Sequence, residues 1–304
     1  MTAHLIRRVT ILGTGLIGGS FALALKKNLT GIHVSGWDRA ETVLEARTRG
    51  ALDDTFVGDL APALANADLI YIALPISVTL DILPEIAGHV SASALVTDAC
   101  STKLRITQDA AQLFNDATTS ATSDKVREPI FLGGHPMAGK ELSGIAAADA
   151  ELFRDHTYAL ISGGDGKTRR PVSDLRVAAF VKILEKLGAR PLWIGAQQHD
   201  YAVALASHLP QLAAVALGSF LYDRLDENGL PIILAGPGLR DSLRLAGSSY
   251  STWRDIVLTN KELLSASLDL FARRLDDLRE RLGSRELEAD FDAANELYKL
   301  LRSL

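Results

Sequence analysis

Short apolar runs alternate with longer amphipathic segments from residue 9 to about residue 195. The runs are rich in β-branched residues and bounded by turn-forming residues, as strands are. This alternation is typical of βαβ units built around a parallel sheet. The predicted strands cover residues 9–13, 32–37, 68–74, 94–98, 129–134, 156–162 and 189–195.

The segments between these strands have the apolar spacing of helices. They include residues 16–28, 40–50 and 172–188. Two other stretches, residues 115–128 and 162–171, are polar and rich in small or charged residues, so we predict surface loops there.

After Gly195 the strand pattern stops, and most of the remaining chain is predicted to be helical. Residues 199–225 are apolar on nearly all sides, which favours a helix buried between other helices. Pro210 lies inside this segment and is expected to kink it, because proline has no backbone N–H to donate. Residues 255–283 and 284–304 are amphipathic and densely charged, which suits packing in a bundle or across a dimer.

The chain therefore divides into two parts. Its 304 residues are enough for two compact domains. We predict an α/β domain over residues 1–195 and an all-helical domain over residues 196–304.

Composition and charge narrow the class of protein. Apolar residues make up 47% of the chain and no apolar run is long enough for a membrane span, so no transmembrane helix is expected. The N-terminus shows no signal peptide, which leads us to expect a cytoplasmic protein. A net charge of −5 argues against nucleic-acid binding. Cys100 is the single cysteine, so neither an internal disulfide nor a thiolate metal cluster can form, and we expect a small-molecule partner and no metal.

A glycine fingerprint follows the first predicted strand. Gly13, Gly15 and Gly18 form a GxGxxG pattern that opens a predicted helix. In a Rossmann-type dinucleotide site, the first glycine permits a tight turn, the second lets the backbone approach the pyrophosphate, and the third lets helix and strand pack closely. The phosphates then lie at the helix N-terminus. The fold class we predict is therefore α/β, with a Rossmann-type nucleotide-binding domain followed by an all-helical domain.

Asp38 ends the next predicted strand, 20 residues after Gly18. Its carboxylate would accept hydrogen bonds from the adenosine ribose hydroxyls and repel a 2′-phosphate, which favours NAD over NADP. Arg39 is a counter-argument, because a guanidinium can bind that phosphate. The alternative is an ordinary glycine turn with Asp38 as a helix cap. The predicted cofactor contacts are Gly13, Gly15, Leu16, Ile17, Gly18, Asp38, Arg39, Pro75 and Ser101.

Polar residues end other predicted strands at the edge where ligands of parallel sheets bind. Ser101 follows the fourth strand and His135 the fifth. A neutral imidazole is suited to take the hydroxyl proton when a carbinol carbon loses hydride, so His135 is the candidate base. The alternatives are a helix N-cap for Ser101 and a structural loop role for His135. We expect the glycines beside His135 to leave room for substrate and cofactor, and Pro136 to stiffen a turn.

The helical part contributes a second set of candidates. His208 and Gln211 are three residues apart and share a helix face. Arg244 has no acidic neighbour in sequence, and arginine is the usual partner of a substrate carboxylate. Arg240 and Arg254 each precede an aspartate, so surface ion pairs are the better interpretation for them.

The combination of these motifs resembles the prephenate and arogenate dehydrogenases of tyrosine biosynthesis. The resemblance covers nearly the whole chain, through ILGTGLIGGS, GWDR, ALPIS, TDACSTK, GGHPMAGKE, the HD…SHLP segment and GLRDSLRLAGSSYSTWRDI.

This resemblance implies oxidative decarboxylation with hydride transfer to NAD(P)+ and a homodimer formed through the helical domain. His135 matches the family histidine that deprotonates the ring hydroxyl, Ser101 the serine that contacts the same hydroxyl, and Arg244 the arginine that binds a substrate carboxylate. Two positions depart from the family pattern. Gln211 stands where a second histidine is common, which leaves prephenate and arogenate both open, and Cys100 stands where glycine is usual.

Two other functions are weighed against this one. A β-hydroxy-acid dehydrogenase of similar build would need a lysine in the helical domain, and residues 196–260 contain none. A non-catalytic NAD sensor would not need His135, Ser101 and Arg244 together.

Overall fold

A computed structural model describes residues 5–116, 128–140, 142–162, 174–225 and 229–303. Its main feature is a seven-stranded sheet in the order β3-β2-β1-β4-β5-β7-β6, in which all neighbouring strands run parallel. The predicted Rossmann-type fold class is confirmed. The strands are β1 Arg8–Leu12, β2 His33–Trp37, β3 Asp54–Phe56, β4 Leu69–Ile72, β5 Leu95–Asp98, β6 Asn115–Asp116 and β7 Ile130–Leu132.

Helices cover both faces of this sheet, which is why its central strands are apolar throughout. All four residues of Leu69–Ile72 are buried, as expected for a strand enclosed on both faces. On one face Phe21 stacks on Tyr71 with ring centroids 3.9 Å apart. Full burial of side chains of this size contributes roughly 1.5–3 kcal/mol each. The helices are α1 Leu16–Asn28, α2 Ala40–Thr48, α3 Ala61–Leu64, α4 Ile76–His89, α5 Leu104–Ala110 and α6 Leu175–Lys186.

A second, three-stranded sheet was not foreseen. It has the order β10-β9-β8, with β8 antiparallel to β9 and β9 parallel to β10. The single strand predicted over residues 129–134 is wrong, because the chain leaves the main sheet after Leu132 and enters the second sheet at Gly134. The strands of this sheet are β8 Gly134–Pro136, β9 Thr157–Ile161 and β10 Arg190–Ile194.

The remainder of the described chain is helical, as predicted. Its first helix begins at Ala196, directly after β10 and Gly195. A π-helical turn at Ala204–His208 precedes Pro210, so the proline coincides with a local change of helical hydrogen bonding rather than a break. The helices are α7 Ala196–Val203, α8 Leu209–Tyr222, α9 Leu230–Ile233, α10 Pro237–Leu243, α11 Tyr250–Thr259, α12 Lys261–Glu280 and α13 Leu287–Arg302, with a 3-10 turn at Arg244–Gly247.

The long apolar helix of this part is not buried within the single chain. By length and composition, the continuous helical segment Ala196–Tyr222 could cross a membrane, as many core helices of soluble proteins could. Within its most apolar stretch of 18 residues, 28% is buried. The predicted burial of residues 199–225 between other helices is therefore wrong for one chain. α13 likewise has no buried residue. Its Asp290 forms ion pairs with Arg274 of α12 and with Arg281, the residue after α12.

The predicted loops at residues 115–128 and 162–171 lie mostly outside the described residues. Asn115–Asp116 is a short edge strand rather than loop.

Candidate active site

The glycine loop between β1 and α1 has the shape that a pyrophosphate requires. Gly13 has a φ of +89°, and a Cβ there would lie 2.5 Å from the Ala73 carbonyl oxygen. A Cβ at Gly18 would lie 1.9 Å from the Gly13 carbonyl oxygen. At Gly15, in contrast, no atom lies within 4 Å of the Cβ position, and no side chain caps the helix that starts there. The helix N–H groups therefore face open space that a phosphate can fill.

Asp38 lies directly after β2 and fixes this loop. Its Oδ2 accepts the Thr14 N–H at 2.7 Å and its Oδ1 accepts the Arg39 N–H at 2.7 Å. α2 begins after Arg39 without a side-chain cap, so the alternative of Asp38 as a helix cap is wrong. Arg39 is 79% exposed, and its Nε lies 3.6 Å from Glu41 and 4.0 Å from Asp38. Two carboxylates therefore compete with any phosphate for this guanidinium.

A fully buried ion pair lies at the carboxyl end of β5. Asp98 and Lys103 both have 0% exposed side chains, and the Lys103 ammonium donates to Asp98 Oδ2. The same ammonium donates to the Gly134 carbonyl at 2.6 Å, while Asp98 Oδ1 accepts the Gly134 N–H at 3.1 Å. Asp98 Oδ2 also accepts the Cys100 N–H at 3.0 Å. The pair thus holds both backbone polar groups of the residue that precedes His135.

The two glycines before His135 have a packing role. A Cβ at Gly134 would lie 2.7 Å from the Asp98 carbonyl oxygen, and a Cβ at Gly133 would lie 3.0 Å from the Ile161 and Thr107 side chains. The expectation that these glycines leave room for ligand is therefore wrong. They let the chain cross from one sheet to the other against the end of β5. Pro136 lies in β8 and not in a turn.

His135 is the middle residue of β8 and is partly buried. Its Nδ1 lies 2.9 Å from Nε2 of His199 on α7, and His199 Nδ1 lies 2.8 Å from Asp200 Oδ1. The pKa of His135 is well below 6.5, mainly because burial disfavours the cation and further because His199, Lys103 and His208 lie nearby. His135 is therefore a neutral imidazole at neutral pH, and its Nδ1 is hydrogen-bonded to His199.

Ser101 follows β5 on the same edge of the sheet, as predicted. It does not cap the next helix, so that alternative is wrong. The N-cap residue of α5 is Lys103, and its side chain makes no capping hydrogen bond. The capping group comes from the helical part, because Asp200 accepts the N–H groups of Lys103 at 2.7 Å and Leu104 at 2.8 Å.

His208 and Gln211 are both buried, at 2% and 3% exposure. The Asn260 amide donates to the Asp200 carbonyl at 3.0 Å and lies 3.3 Å from His208 Nδ1, which ties His208 to the group behind His135. Burial lowers the pKa of His208 to about 4. Gln211 donates its amide to the Leu245 carbonyl at 2.8 Å, so this donor is used within the fold.

The three candidate arginines have different surroundings. Arg254 pairs with Asp255 at 2.9 Å, as predicted, and Asp255 in turn accepts the Ser77 N–H at the start of α4 at 2.9 Å. Arg240, on α10, makes no ion pair with its neighbour Asp241 in the described part of the chain, so the surface pair expected there is wrong. Arg244 begins the 3-10 turn that the Gln211 bond anchors to α8, and its side chain is exposed.

Four buried residues of this site were not singled out from the sequence: Asp98, Lys103, His199 and Asp200. Each lies in a stretch that the motifs contain, TDACSTK or HD…SHLP. The available signal was Asp98, a charged residue that ends a short and mostly apolar predicted strand, where an exposed residue is not expected.

The fold and this site together define an oxidoreductase with a dinucleotide-binding domain and a helical domain that meet at a partly buried histidine. Sequence comparison identifies the family. The model of the prephenate dehydrogenase nucleotide-binding domain matches residues 21–192, and that of the prephenate dehydrogenase dimerization domain matches residues 195–302. The chain belongs to the prephenate dehydrogenase family.

Individual relatives agree with this assignment. The chain is 34% identical to prephenate dehydrogenase of Lactococcus lactis over 93% of this chain and 73% of that protein. It is 29% identical to cyclohexadienyl dehydrogenase of Zymomonas mobilis over 92% of this chain and 90% of that protein. Among solved structures, prephenate dehydrogenase from Aquifex aeolicus with hydroxyphenyl propionate and NAD+ aligns with a TM-score of 0.81 at 26% identity, covering 98% of both chains. Synechocystis arogenate dehydrogenase aligns with a TM-score of 0.72 at 29% identity, covering 97% and 96%.

The buried ion pair yields a stability prediction. Lys103→Met leaves the Asp98 charge buried without its partner, so we expect the free energy of unfolding in urea to fall by about 3–5 kcal/mol. The control is Lys26→Met, whose ion pair with Asp53 is partly exposed and should contribute about 1 kcal/mol or less. Equal losses for both variants would contradict the structural role given to Lys103.

Proposed function

We propose that this protein oxidises and decarboxylates prephenate, arogenate or both in tyrosine biosynthesis, with NAD+ as the hydride acceptor. The observation that carries the proposal is His135, a neutral imidazole held by His199 at 2.9 Å beside the edge of a dinucleotide-binding sheet. We assign residues 1–195 to the nucleotide-binding domain and residues 196–304 to the substrate and dimerisation domain.

The residues present fit NAD. The loop of Gly13, Gly15 and Gly18, followed by Leu16 and Ile17, offers helix N–H groups to the pyrophosphate. Asp38 keeps acceptor capacity for a ribose hydroxyl, because its known bonds use about three of the four acceptor sites of a carboxylate. We also assign Pro75, Ser101 and the exposed Arg39 to the rim of this site. When bound there, NAD+ supplies the acceptor for the hydride from the ring C4 carbon.

His135 takes the proton of the C4 hydroxyl in our proposal. The C4–H bond breaks toward the acceptor while the O–H bond breaks toward the imidazole, so the carbinol becomes a carbonyl. Breakage of the bond to the ring carboxylate then releases CO2, and its electron pair completes the aromatic ring. The C4 oxygen becomes a phenolate and takes its proton back from the imidazole. Ser101 orients the substrate oxygen beside His135. General bases of this kind contribute about 10²–10⁴-fold to rate.

The helical domain binds the rest of the substrate. Arg244 is assigned to a substrate carboxylate, for which its planar guanidinium is suited. His208 and Gln211 are assigned to the wall of the substrate cleft. Both are fixed by hydrogen bonds, of Asn260 to His208 at 3.3 Å and of Gln211 to Leu245 at 2.8 Å.

We further propose a cytoplasmic homodimer with its interface on the helical domain. The apolar side chains exposed there in a single chain are what a second copy would cover. They include Val215, Phe220, Tyr222, Ile232, Ile233, Leu234, Leu275, Phe291 and Leu300.

Replacement of His135 tests the proposed chemistry. His135→Asn should lower kcat/KM by about 10²-fold or more, since it removes the base, and leave the Kd for NAD+ unchanged.

In the unsubstituted enzyme, kcat/KM should be level near pH 7 and fall only in acid, because the pKa of His135 lies well below 6.5 and protonation removes the base. The assay pairs prephenate and arogenate each with NAD+ and NADP+. Absence of turnover in all four combinations would refute the proposed function.

Replacement of Asp38 tests cofactor choice. Asp38→Asn removes the charge that would repel a 2′-phosphate and weakens the bond to the ribose. The ratio of kcat/KM for NAD+ to that for NADP+ should fall about tenfold or more, since a hydrogen bond to a charged group is worth roughly 1.5–3 kcal/mol. Asp53→Asn is the matched control, because Asp53 bonds Lys26 and the Val34 N–H on the same sheet. A ratio that moves equally in both variants would count against Asp38.

A charge on α8 tests the dimer. Val215→Asp should convert a dimer to a monomer in light scattering at micromolar concentration, because an unpaired charge in an apolar interface is unfavourable. Leu44→Asp is the control, since Leu44 is 65% exposed on α2 of the other domain. A monomeric unsubstituted protein would contradict the proposed assembly.

A further inference from the structure

A second histidine and an aspartate stand in line behind His135. His199 and Asp200 are adjacent residues of α7, and they are 2% and 1% exposed. The contacts run from His135 Nδ1 to His199 Nε2 at 2.9 Å and from His199 Nδ1 to Asp200 Oδ1 at 2.8 Å. Of these three residues only His135 is partly exposed. The chain of hydrogen bonds therefore begins at the proposed substrate site and ends inside the protein.

The donors around Asp200 fix the direction of these hydrogen bonds. Its two oxygens accept the N–H groups of Lys103 and Leu104 at 2.7 and 2.8 Å. An ionised carboxylate only accepts, so His199 must donate from Nδ1 to Asp200. In our scheme Nε2 of His199 carries no proton, so it accepts, and His135 donates to it from Nδ1. Nε2 of His135 is left with a lone pair and no proton.

From this geometry we propose that His199 and Asp200 are positioning residues for the proton transfer. They hold His135 in the tautomer whose Nε2 is a base, and they accept its positive charge during the reaction. As Nε2 of His135 gains the hydroxyl proton, the proton on Nδ1 passes to Nε2 of His199. The cation then lies on His199, in contact with the Asp200 carboxylate, and His135 is neutral again. This inference rests on the proposed function of His135.

The surroundings of His135 make such a transfer useful. Burial, Lys103 and the two neighbouring histidines disfavour a cation on His135, and Asp98 is already paired with Lys103. On the neighbouring strand β9, Tyr158 stays uncharged, because burial raises its pKa well above 10. His208 is neutral at neutral pH, with a pKa of about 4. Among the described residues, Asp200 is therefore the anion that can balance the new charge, and it is reached through His199.

Asp200→Asn tests the tautomer. The Asn oxygen would accept a backbone N–H of α5 and its amide would donate to His199 Nδ1. His199 would then carry its proton on Nε2 and donate to His135, which leaves a proton on Nε2 of His135. We expect kcat/KM to fall by about 10²-fold or more and its acid limb to shift to lower pH, while the Kd for NAD+ changes by about threefold at most.

The matched control is Asp174→Asn. Asp174 is also a buried aspartate that accepts an N–H at a helix start, that of Arg176 at 2.8 Å, but it caps α6 and makes no contact with His135. Asp174→Asn should lower the melting temperature without moving the pH profile of kcat/KM.

At His199, glutamine can still accept the His135 N–H and leucine cannot, so His199→Gln should keep about tenfold more activity than His199→Leu.

The tautomer of His135 can also be determined by spectroscopy, without measuring catalytic activity. In 15N spectra of histidine-labelled protein, unsubstituted His135 should carry its proton on Nδ1, with assignment from His135→Asn. A proton on Nε2 of His135, or an Asp200→Asn enzyme within about threefold of normal kcat/KM with an unmoved acid limb, would overturn the proposal. If Asp200→Asn does not fold, the spectrum of the unsubstituted protein decides. Failure of the proposed function would instead appear as absence of turnover in the unsubstituted enzyme.

Discussion

The buried contact between Asp98 and Lys103 is the interaction on which the rest of the site depends. Two opposite charges with 0% exposure are tolerated only if they are paired and their other polar atoms are bonded. Here the Gly134 N–H and carbonyl and the Cys100 N–H provide those bonds. The requirement to satisfy this pair therefore sets the backbone at Gly134, and the backbone at Gly134 sets the position of His135.

The same end of the sheet joins the two domains. Asp200, from the first helix after the α/β part, caps α5 of that part, and Asp255 accepts the Ser77 N–H at the start of α4. Two helix N-termini of the nucleotide-binding domain are thus satisfied by carboxylates of the helical domain. Because the same Asp200 also holds His199, the contact that docks the domains is also a contact of the site. Movement of one domain against the other would change the support of His135.

The sequence predicted the fold class and much of the site because those features follow local rules. The glycine fingerprint, Asp38 and the position of Ser101 depend on strand ends that alternation of apolar runs reveals. The second sheet was missed because Gly133 and Gly134 were predicted to continue the strand over residues 129–134. The change of sheet depends on their contacts with Asp98 and Ile161, which are distant in sequence. His199 was missed for the same reason: nothing in its own helix distinguishes it from a core histidine until His135 is placed 2.9 Å away.

The charges of the buried cluster suit a reaction that releases a proton into it. Lys103 balances Asp98, and the three histidines of the cluster are neutral at rest in our scheme, so Asp200 leaves one negative charge in excess. Its bonds to two backbone N–H groups and to His199 make that charge tolerable in the resting state. Arrival of one proton makes the cluster neutral. A buried site with a net charge of zero would instead become cationic, which is the more costly direction in a low dielectric. The excess charge therefore favours the protein as a proton acceptor despite the low basicity of His135 itself.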